Sequence, residues 1–265
     1  MDEDMDRRAV DGKSFGEVDV VRNYAFRPPY PEALFEHLAG LAPRRNCLLD
    51  LGCGPGKVAR PMAASFDRVI AVDPSLEMLA LARTLENGRG GNITWVECRG
   101  EDVELEPASV DLVVAANSIH WMDAGHLFPR LASCVAPDHR VAVVSGDDPF
   151  EPPWAEAWQA FLVHWLPLLT GEPFDPKGKS TQWAAYKDHL EITGEQRFLS
   201  APVVQSVDDF VRCQHSRESF APDRLGSHFS EFDGQLTELL APFANGGMLT
   251  FVVKVDLVCG TIKAN

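Results

Sequence analysis

The sequence lacks the features that would mark a membrane or secreted protein. Its longest apolar runs, such as residues 110–116, fall far short of the roughly 20 residues that span a bilayer. The polar, acidic start, MDEDMDRRAV, has none of the apolar core of a secretory signal. We therefore expect a cytoplasmic protein without a membrane segment.

Basic stretches and paired cysteines are also missing. The chain has 24 Lys and Arg against 39 Asp and Glu, a formal net charge of -15, and no basic stripe. This charge repels nucleic acid, so we expect a small-molecule partner. The six cysteines include no C-x-x-C pair, which predicts reduced thiols and no metal site. Nothing in the sequence indicates an oligomeric state.

What the sequence does have is a regular alternation of short apolar runs and helical patterns from residue 46 to 146. Val/Ile/Leu-rich strands separated by helices predict a parallel sheet covered on both faces, a doubly wound Rossmann-like α/β fold. A Trp- and Pro-rich helical segment follows, then a strand expected at 198–207 and a last strand, MLTFVVKVDLVCGTI, expected to end the sheet. The expected parts are an N-terminal tail and helix (1–45), the core (46–146), a helical cap (147–197) and the C-terminal part of the sheet (198–265).

A glycine-rich turn follows the first predicted strand, in LLDLGCGPGKVARP. Gly52, Gly54 and Gly56 precede a helix, and a helix N-terminus offers unpaired N–H groups to a ligand. The dinucleotide fingerprint G-x-G-x-x-G would place its third glycine where this chain has Lys57. An NAD-linked oxidoreductase is therefore disfavoured but remains an alternative.

The second predicted strand, RVIAVD, ends in Asp73, which lies 21 residues after Gly52. A carboxylate at this place can accept hydrogen bonds from both hydroxyls of a ribose. The alternative interpretation is that Asp73 only supports the start of the next helix, for which Ser75 is the expected cap.

Four segments together resemble a known family: LLDLGCGPG, VIAVDPSLEMLALAR, RGEDVEL and SVDLVVAANSIHWMD. They look like the class I S-adenosylmethionine-dependent methyltransferases, in particular the small-molecule branch of trans-aconitate methyltransferase and related natural-product methyltransferases. The resemblance covers about residues 20–146. It implies a mainly parallel seven-stranded sheet with an antiparallel last strand, S-adenosylmethionine as cofactor and S-adenosylhomocysteine as product.

The resemblance also implies roles for individual residues. The three glycines would pass against the methionine part of the cofactor, Asp73 would bind the ribose, and Leu76 or Met78 would lie near the adenine. Three further groups complete the implied cofactor site: the Gly100-Glu101-Asp102 turn at the adenine amino group, Asn117 or Ser118 below the sulfonium, and Arg27 at the cofactor carboxylate. Asp50, Pro74 and Ser75, which flank the two strand ends, are the remaining cofactor-binding candidates.

The catalytic candidates are His120 and Tyr24. Histidine exchanges a proton near neutral pH, so His120 is a candidate base, although it could instead pack with Trp121 and orient the strand end. Tyr24 or Tyr30 is expected to close over the cofactor.

The candidate acceptor-binding residues are tryptophans: Trp121, Trp154, Trp158 and Trp183. They favour a flat or apolar acceptor, methylated on oxygen or on an electron-rich carbon such as that of an indole, in secondary metabolism. The tryptophans at helical spacing could equally belong to the core. A carboxylate O-methyltransferase and a non-catalytic cofactor-binding scaffold remain alternatives.

Overall fold

The computed structural model describes residues 18–171, 173–174 and 184–263. A seven-stranded sheet runs through the chain in the order β3-β2-β1-β4-β5-β9-β6, and β7 pairs with β8 in a separate two-stranded sheet. The strands are β1 Cys47–Leu51, β2 Arg68–Asp73, β3 Ile93–Glu97, β4 Val110–Ala116, β5 Val135–Ser145, β6 Leu190–Leu199, β7 Val203–Ser206, β8 Met248–Phe251 and β9 Lys254–Ile262.

Helices cover the sheet on both faces. They are α1 Val18–Asn23, α2 Glu32–Leu41, α3 Ala59–Met62, α4 Leu76–Thr84, α5 Ala124–Cys134, α6 Ala155–Thr170, α7 Val207–Gln214, α8 Pro222–Leu225 and α9 Phe229–Leu240. Side chains alternate along β1, so Leu48 joins the buried cluster under α2, α3 and α9, whereas Leu49 joins the cluster under α5. The sheet is therefore a buried layer between two hydrophobic cores.

The strand directions confirm the expected architecture. β3, β2, β1, β4 and β5 pair in parallel, and β9 runs antiparallel to both β5 and β6. The predicted Rossmann-like sheet of seven mainly parallel strands, with an antiparallel last strand, is thus correct. No helix of the described residues combines the length and the apolar character that crossing a membrane requires.

Local sequence signals determine where α2, α3 and α4 begin. Ser75 caps α4 by accepting a 3.1 Å hydrogen bond from the Met78 N–H, and α2 begins directly after Pro31. Pro61 lies within the first four residues of α3, whose N–H groups lack intrahelical partners, so its missing donor costs little.

The C-terminal part differs from the expectation. The strand β6 starts at Leu190, inside the range expected to be a helical cap, and the strand expected at 198–207 is divided between β6 and β7. The predicted last strand is likewise two strands, β8 and β9, and β9 lies between β5 and β6 rather than at the edge. Pairing with β9 decides these bounds, and that long-range contact has no local sequence signal.

Candidate active site

The site lies where the direction of the sheet connections reverses, between β1 and β4. In open parallel sheets, ligands bind outside the carboxyl ends of the strands at this switch point. The glycine turn follows β1 here, and Asn117 follows β4. Together with Asp73 at the end of β2, the sequence motifs from three strand ends therefore meet at one edge of the sheet.

All three glycines of the turn have positive φ, at +61° for Gly52, +52° for Gly54 and +76° for Gly56. A Cβ on Gly52 would lie 2.5 Å from the Ser118 Cβ, and one on Gly56 would lie 2.5 Å from Trp95. A Cβ on Gly54 would lie 3.8 Å from its nearest neighbour, the Tyr24 hydroxyl oxygen. Gly52 and Gly56 thus permit packing beneath the turn, whereas Gly54 presents open backbone below Tyr24.

Asp50 supports the turn from inside. It is fully buried, and its Oδ2 accepts a 2.9 Å hydrogen bond from the Ala59 N–H at the start of α3. Burial raises the pKa of this carboxyl to about 7, and the nearby Asp73 adds to the rise. The structure corrects the assignment of Asp50 to a cofactor-binding surface, because its side chain points into the protein and holds the helix start.

Asp73 ties the second strand end to the glycine turn. Its Oδ2 accepts a 2.7 Å bond from the Gly54 N–H, and its Oδ1 accepts a 2.9 Å bond from the Ser75 N–H. Burial raises its pKa, and these two bonds oppose the rise. Each oxygen retains a further lone pair, so the carboxylate can still accept two hydroxyl donors.

The residues after Asp73 divide by exposure. Pro74 is exposed, and Ser75 is buried as the helix cap. Met78 is almost completely buried, whereas Leu76 is 51% exposed. Of the two candidates for the adenine surface, the structure therefore favours Leu76, and the choice of Met78 is corrected.

The Gly100-Glu101-Asp102 turn is a single 3-10 turn after β3. Gly100 is buried against Met122, and the Glu101 carboxylate already accepts bonds from the Asp123 N–H at 2.8 Å and from Arg99 at 3.2 Å. Asp102 is exposed. Of the two acids, Asp102 is therefore the one whose side chain faces solvent and can receive an amino group.

The residues after β4 lock this strand end to its neighbours. Asn117 has φ +52°, accepts a 2.8 Å bond from the Gly146 N–H and donates a 3.1 Å bond to the Tyr30 hydroxyl. The buried Ser118 hydroxyl donates a 2.6 Å bond to the Leu51 carbonyl. Both side chains are therefore committed to holding the floor of the crevice in shape.

His120 and Trp121 follow in a short 3-10 turn, with their ring centroids 4.5 Å apart. Burial lowers the pKa of His120 to about 4. The ring is therefore neutral at pH 7 and only a weak base. Trp121 is half-buried beside it at the carboxyl edge of the sheet.

Arg27 is buried in a network that the sequence did not predict. Its Nε donates to the Ser216 hydroxyl at 2.7 Å and one Nη to the Ser216 carbonyl at 2.9 Å, while the other Nη lies 3.4 Å from Asp147. Its guanidinium also stacks on the Tyr24 ring, 4.3 Å from the centroid. Burial raises the pKa of the Tyr24 hydroxyl.

Asp147 is the centre of this network. Its carboxylate lies within 3.5 Å of cationic nitrogens of Arg27, Lys57 and Arg217, and we call these four residues the Asp147 cluster. Although burial alone would raise its pKa, the three cations hold it well below the usual range of an aspartate. The carboxylate is thus charged throughout the physiological pH range.

Comparison with known proteins matches residues 48–138 to a family model described as a methyltransferase domain. The chain carries a methyltransferase domain. This match, together with the fold and the four motifs, confirms the predicted resemblance to the class I S-adenosylmethionine-dependent methyltransferases.

The curated relatives match a similar share of this chain. The probable S-adenosylmethionine-dependent methyltransferase CRG1 of Saccharomyces cerevisiae is 35% identical over 42% of this chain and 40% of its own length. An uncharacterized methyltransferase of Mycobacterium tuberculosis, Rv3342, is 33% identical over 44% of this chain and 46% of its own length. The chain thus matches less than half the length of these relatives.

Solved structures extend the likeness to most of the fold. One from Anaeromyxobacter dehalogenans, assigned as a type II methyltransferase, is 25% identical with a TM-score of 0.71, and the match covers 90% of this chain and 99% of that one. The YcgJ protein of Bacillus subtilis, at 19% identity and a TM-score of 0.51, shares the fold.

The tryptophans proposed to line an acceptor pocket differ from one another in their surroundings. Trp154 is 1% exposed and packs edge-on against Phe210 and Phe251, so its assignment to a pocket is corrected to a core position. Trp158 is partly buried and stacks on Phe161. Trp183 lies outside the described residues.

Sequence analysis missed Asp147, Ser216 and Arg217. Asp147 had one sequence signal, its position just after the end of β5, which resembles that of Asp73 at the end of β2. Nothing in the sequence pairs Asp147 with Lys57 and Arg27, which lie 90 and 120 residues away. Lys57 was noted only as a departure from the dinucleotide fingerprint. In the structure, its ammonium donates to the Pro28 carbonyl at 2.8 Å and lies 4.2 Å from the centroid of the Tyr30 ring.

Proposed function

We propose that this chain transfers the methyl group of S-adenosylmethionine to a small-molecule acceptor. The observation that carries the proposal is the bond between the Gly54 N–H and Asp73 at the switch point between β1 and β4. It holds an open glycine backbone and a carboxylate with free lone pairs side by side, which suits an aminoacyl chain next to a ribose.

The other residues fit the same ligand. Asp73 would accept the ribose hydroxyls, Asp102 the adenine amino group, and Leu76 would cover the adenine. The Asp147 cluster provides positive charge for a carboxylate next to the turn. A bound cofactor supplies an electrophilic methyl group on a sulfonium.

Methyl transfer depends mainly on the positioning of the acceptor atom relative to the methyl group. The acceptor atom must approach the methyl carbon in line at about 3 Å, with water excluded, and such orientation can supply much of the rate. Trp121 and Tyr24 are half-buried aromatic rings, and in this proposal they would flank the space and exclude water. His120, with a pKa near 4, suits a structural role or a neutral proton acceptor better than a strong base.

For the acceptor, we propose an aromatic or apolar metabolite methylated on oxygen or on an electron-rich carbon. The partly buried rings of Trp121 and Trp158 support this proposal. Methylation of a carboxylate is a second candidate. It is favoured by the excess of cations in the Asp147 cluster, and an ionised carboxylate needs no base. The cytoplasmic location and the role in secondary metabolism stay predictions.

Calorimetry with S-adenosylhomocysteine tests the cofactor assignment. We expect Asp73→Asn to weaken binding by about tenfold or more, because hydrogen bonds to a charged group contribute roughly 1.5–3 kcal/mol. Asp67→Asn, at an exposed position before β2, is the matched control and should bind as the wild type does. Equal affinity in Asp73→Asn would remove the ribose assignment.

Two further measurements separate the alternatives. Tighter binding of NAD than of S-adenosylhomocysteine would favour an oxidoreductase. Cofactor binding without transfer of labelled methyl to any of a panel of aromatic and carboxylate metabolites would favour a binding scaffold.

A further inference from the structure

The Asp147 cluster holds more positive charge than its own carboxylate balances. Arg27, Lys57 and Arg217 surround one buried carboxylate, and Asp148, which pairs with Arg217 at 2.6 Å, is mostly exposed to solvent. This local excess stands out in a chain with a formal net charge of -15. Buried charges of one sign are costly unless a counter-charge balances them. The cluster is therefore suited to receive an anion.

The hydrogen bonds show which of the three cations has a buried nitrogen without an acceptor. Arg27 makes bonds through all three of its nitrogens, and Lys57 donates to Pro28 and Asp147. Arg217 uses a single nitrogen, Nη2, for both Asp147 and Asp148. Its Nε is buried and has no acceptor among the described residues. A buried donor without an acceptor is unfavourable, and a ligand oxygen would satisfy it.

The cluster also lies beside the proposed methyl-transfer site. Asp147 follows Gly146, whose N–H and carbonyl are both bonded by the Asn117 side chain at the end of β4. Lys57 directly follows the glycine turn. An anion bound at Arg217 would therefore sit at the same strand ends as the cofactor.

We propose that Arg217 is a specificity-determining residue that binds a carboxylate of the acceptor. The inference rests on the proposed function. A guanidinium fork matches a carboxylate with two parallel charge-assisted bonds. Pairing with the guanidinium lowers the nucleophilicity of that carboxylate, so a different atom of the acceptor is the nucleophile. The electron pair of this atom forms the bond to the methyl carbon, the carbon–sulfur bond breaks, and the pair of that bond stays on sulfur. A proton carried by the nucleophilic atom is released to solvent, and the anchored carboxylate keeps its charge.

Calorimetry on the full chain saturated with S-adenosylhomocysteine tests this inference. The probes are acetate, succinate, benzoate and indole-3-acetate, each compared with its neutral amide. We expect the wild type to bind at least one carboxylate about tenfold or more tightly than the amide, and Arg217→Gln to lose about 10- to 100-fold of that affinity. Arg217→Lys should retain part of it, because it keeps the charge without the fork.

Two more variants guard against a folding defect. Arg224→Gln, which removes a partly exposed arginine paired with Glu218, should leave carboxylate binding unchanged. Asp148→Asn removes a competing carboxylate from Arg217 and should tighten carboxylate binding by several-fold, a gain that misfolding cannot produce.

The possible outcomes separate this inference from the proposed function. Failure of the wild type to bind S-adenosylhomocysteine would defeat both. Normal binding of S-adenosylhomocysteine, with no preference for any carboxylate over its amide or with a preference that survives Arg217→Gln, would defeat only the role of Arg217. Loss of S-adenosylhomocysteine affinity in Arg217→Gln would reassign this arginine to the carboxylate of the cofactor.

Discussion

Replacing Asp147 by Asn should cost more stability than any exposed substitution in the chain. The side chain of Asp147 is only 4% exposed, and it is the shared counter-charge of three cations that are themselves 8% to 24% exposed. Asparagine keeps the shape but removes the charge. Arg27, Lys57 and Arg217 would then lie close together without a buried anion between them.

The expected loss in the free energy of unfolding follows from the cations that Asp147→Asn leaves without a counter-charge. Removing one partner of a buried ion pair costs about 3–5 kcal/mol, because the other charge is left uncompensated. Total stabilities of domains lie at roughly 5–15 kcal/mol, so this loss is a large share. For a chain of this size, each kcal/mol lowers the melting temperature by about 2–4 °C, which predicts a fall of roughly 6–20 °C.

Urea unfolding and thermal denaturation of Asp147→Asn measure this loss, and Asp148→Asn is the matched control. The same substitution at the neighbouring residue removes only one ion pair of a side chain that is 67% exposed, so it should cost about 0–1 kcal/mol. If the two variants were equally stable, the Asp147 cluster would not be held together by this carboxylate, and the reasoning would fail.

Three other predictions concern the turn and the strand end. Burial raises the pKa of Asp50 to about 7, so the protonated side chain stabilises the folded state fully at pH values below its unfolded pKa of about 4. We expect about 4 kcal/mol of the free energy of unfolding to be lost as the pH rises from there through 7. Urea unfolding of Asp50→Asn across pH 4–8 should lack this slope. Gly56→Ala should lose about 2–4 kcal/mol through strained φ and a clash with Trp95, and more than Gly54→Ala, by thermal denaturation. His120→Gln should keep methyl transfer within about tenfold of wild type, whereas a 100-fold loss would restore its role as a base.

The features that the sequence predicts well are those whose cause is local. Alternating apolar runs predict the order of strands and helices, and Ser75 predicts the cap of α4. The glycines predict a sharp turn, in which the structure shows positive φ. The bond between Asp73 and the Gly54 N–H was not predicted, although Asp73 and the turn lie at the carboxyl ends of adjacent parallel strands. The family resemblance then added the identity of the ligand.

The features that were missed depend on which way a side chain points or on contacts between distant segments. Asp50 and Met78 lie next to the site in sequence, but both side chains are buried. Trp154 was predicted to line the acceptor pocket, but it packs against Phe210 in the core, where tryptophans at helical spacing also commonly lie. The bounds of β6 depend on pairing with β9, some 60 residues further along the chain.

The Asp147 cluster joins the two sides of the site through a single anion. Arg27 and Lys57 lie next to the segment and the turn proposed to hold the cofactor, Arg217 is proposed to hold the acceptor, and all three contact Asp147. A change at Asp147 therefore disturbs both sides at once and cannot assign a role to either. Changes at Arg217 and Asp148 leave Arg27 and Lys57 paired with Asp147. Cofactor affinity should then stay constant while acceptor affinity changes, so these two positions are the ones at which the roles can be separated.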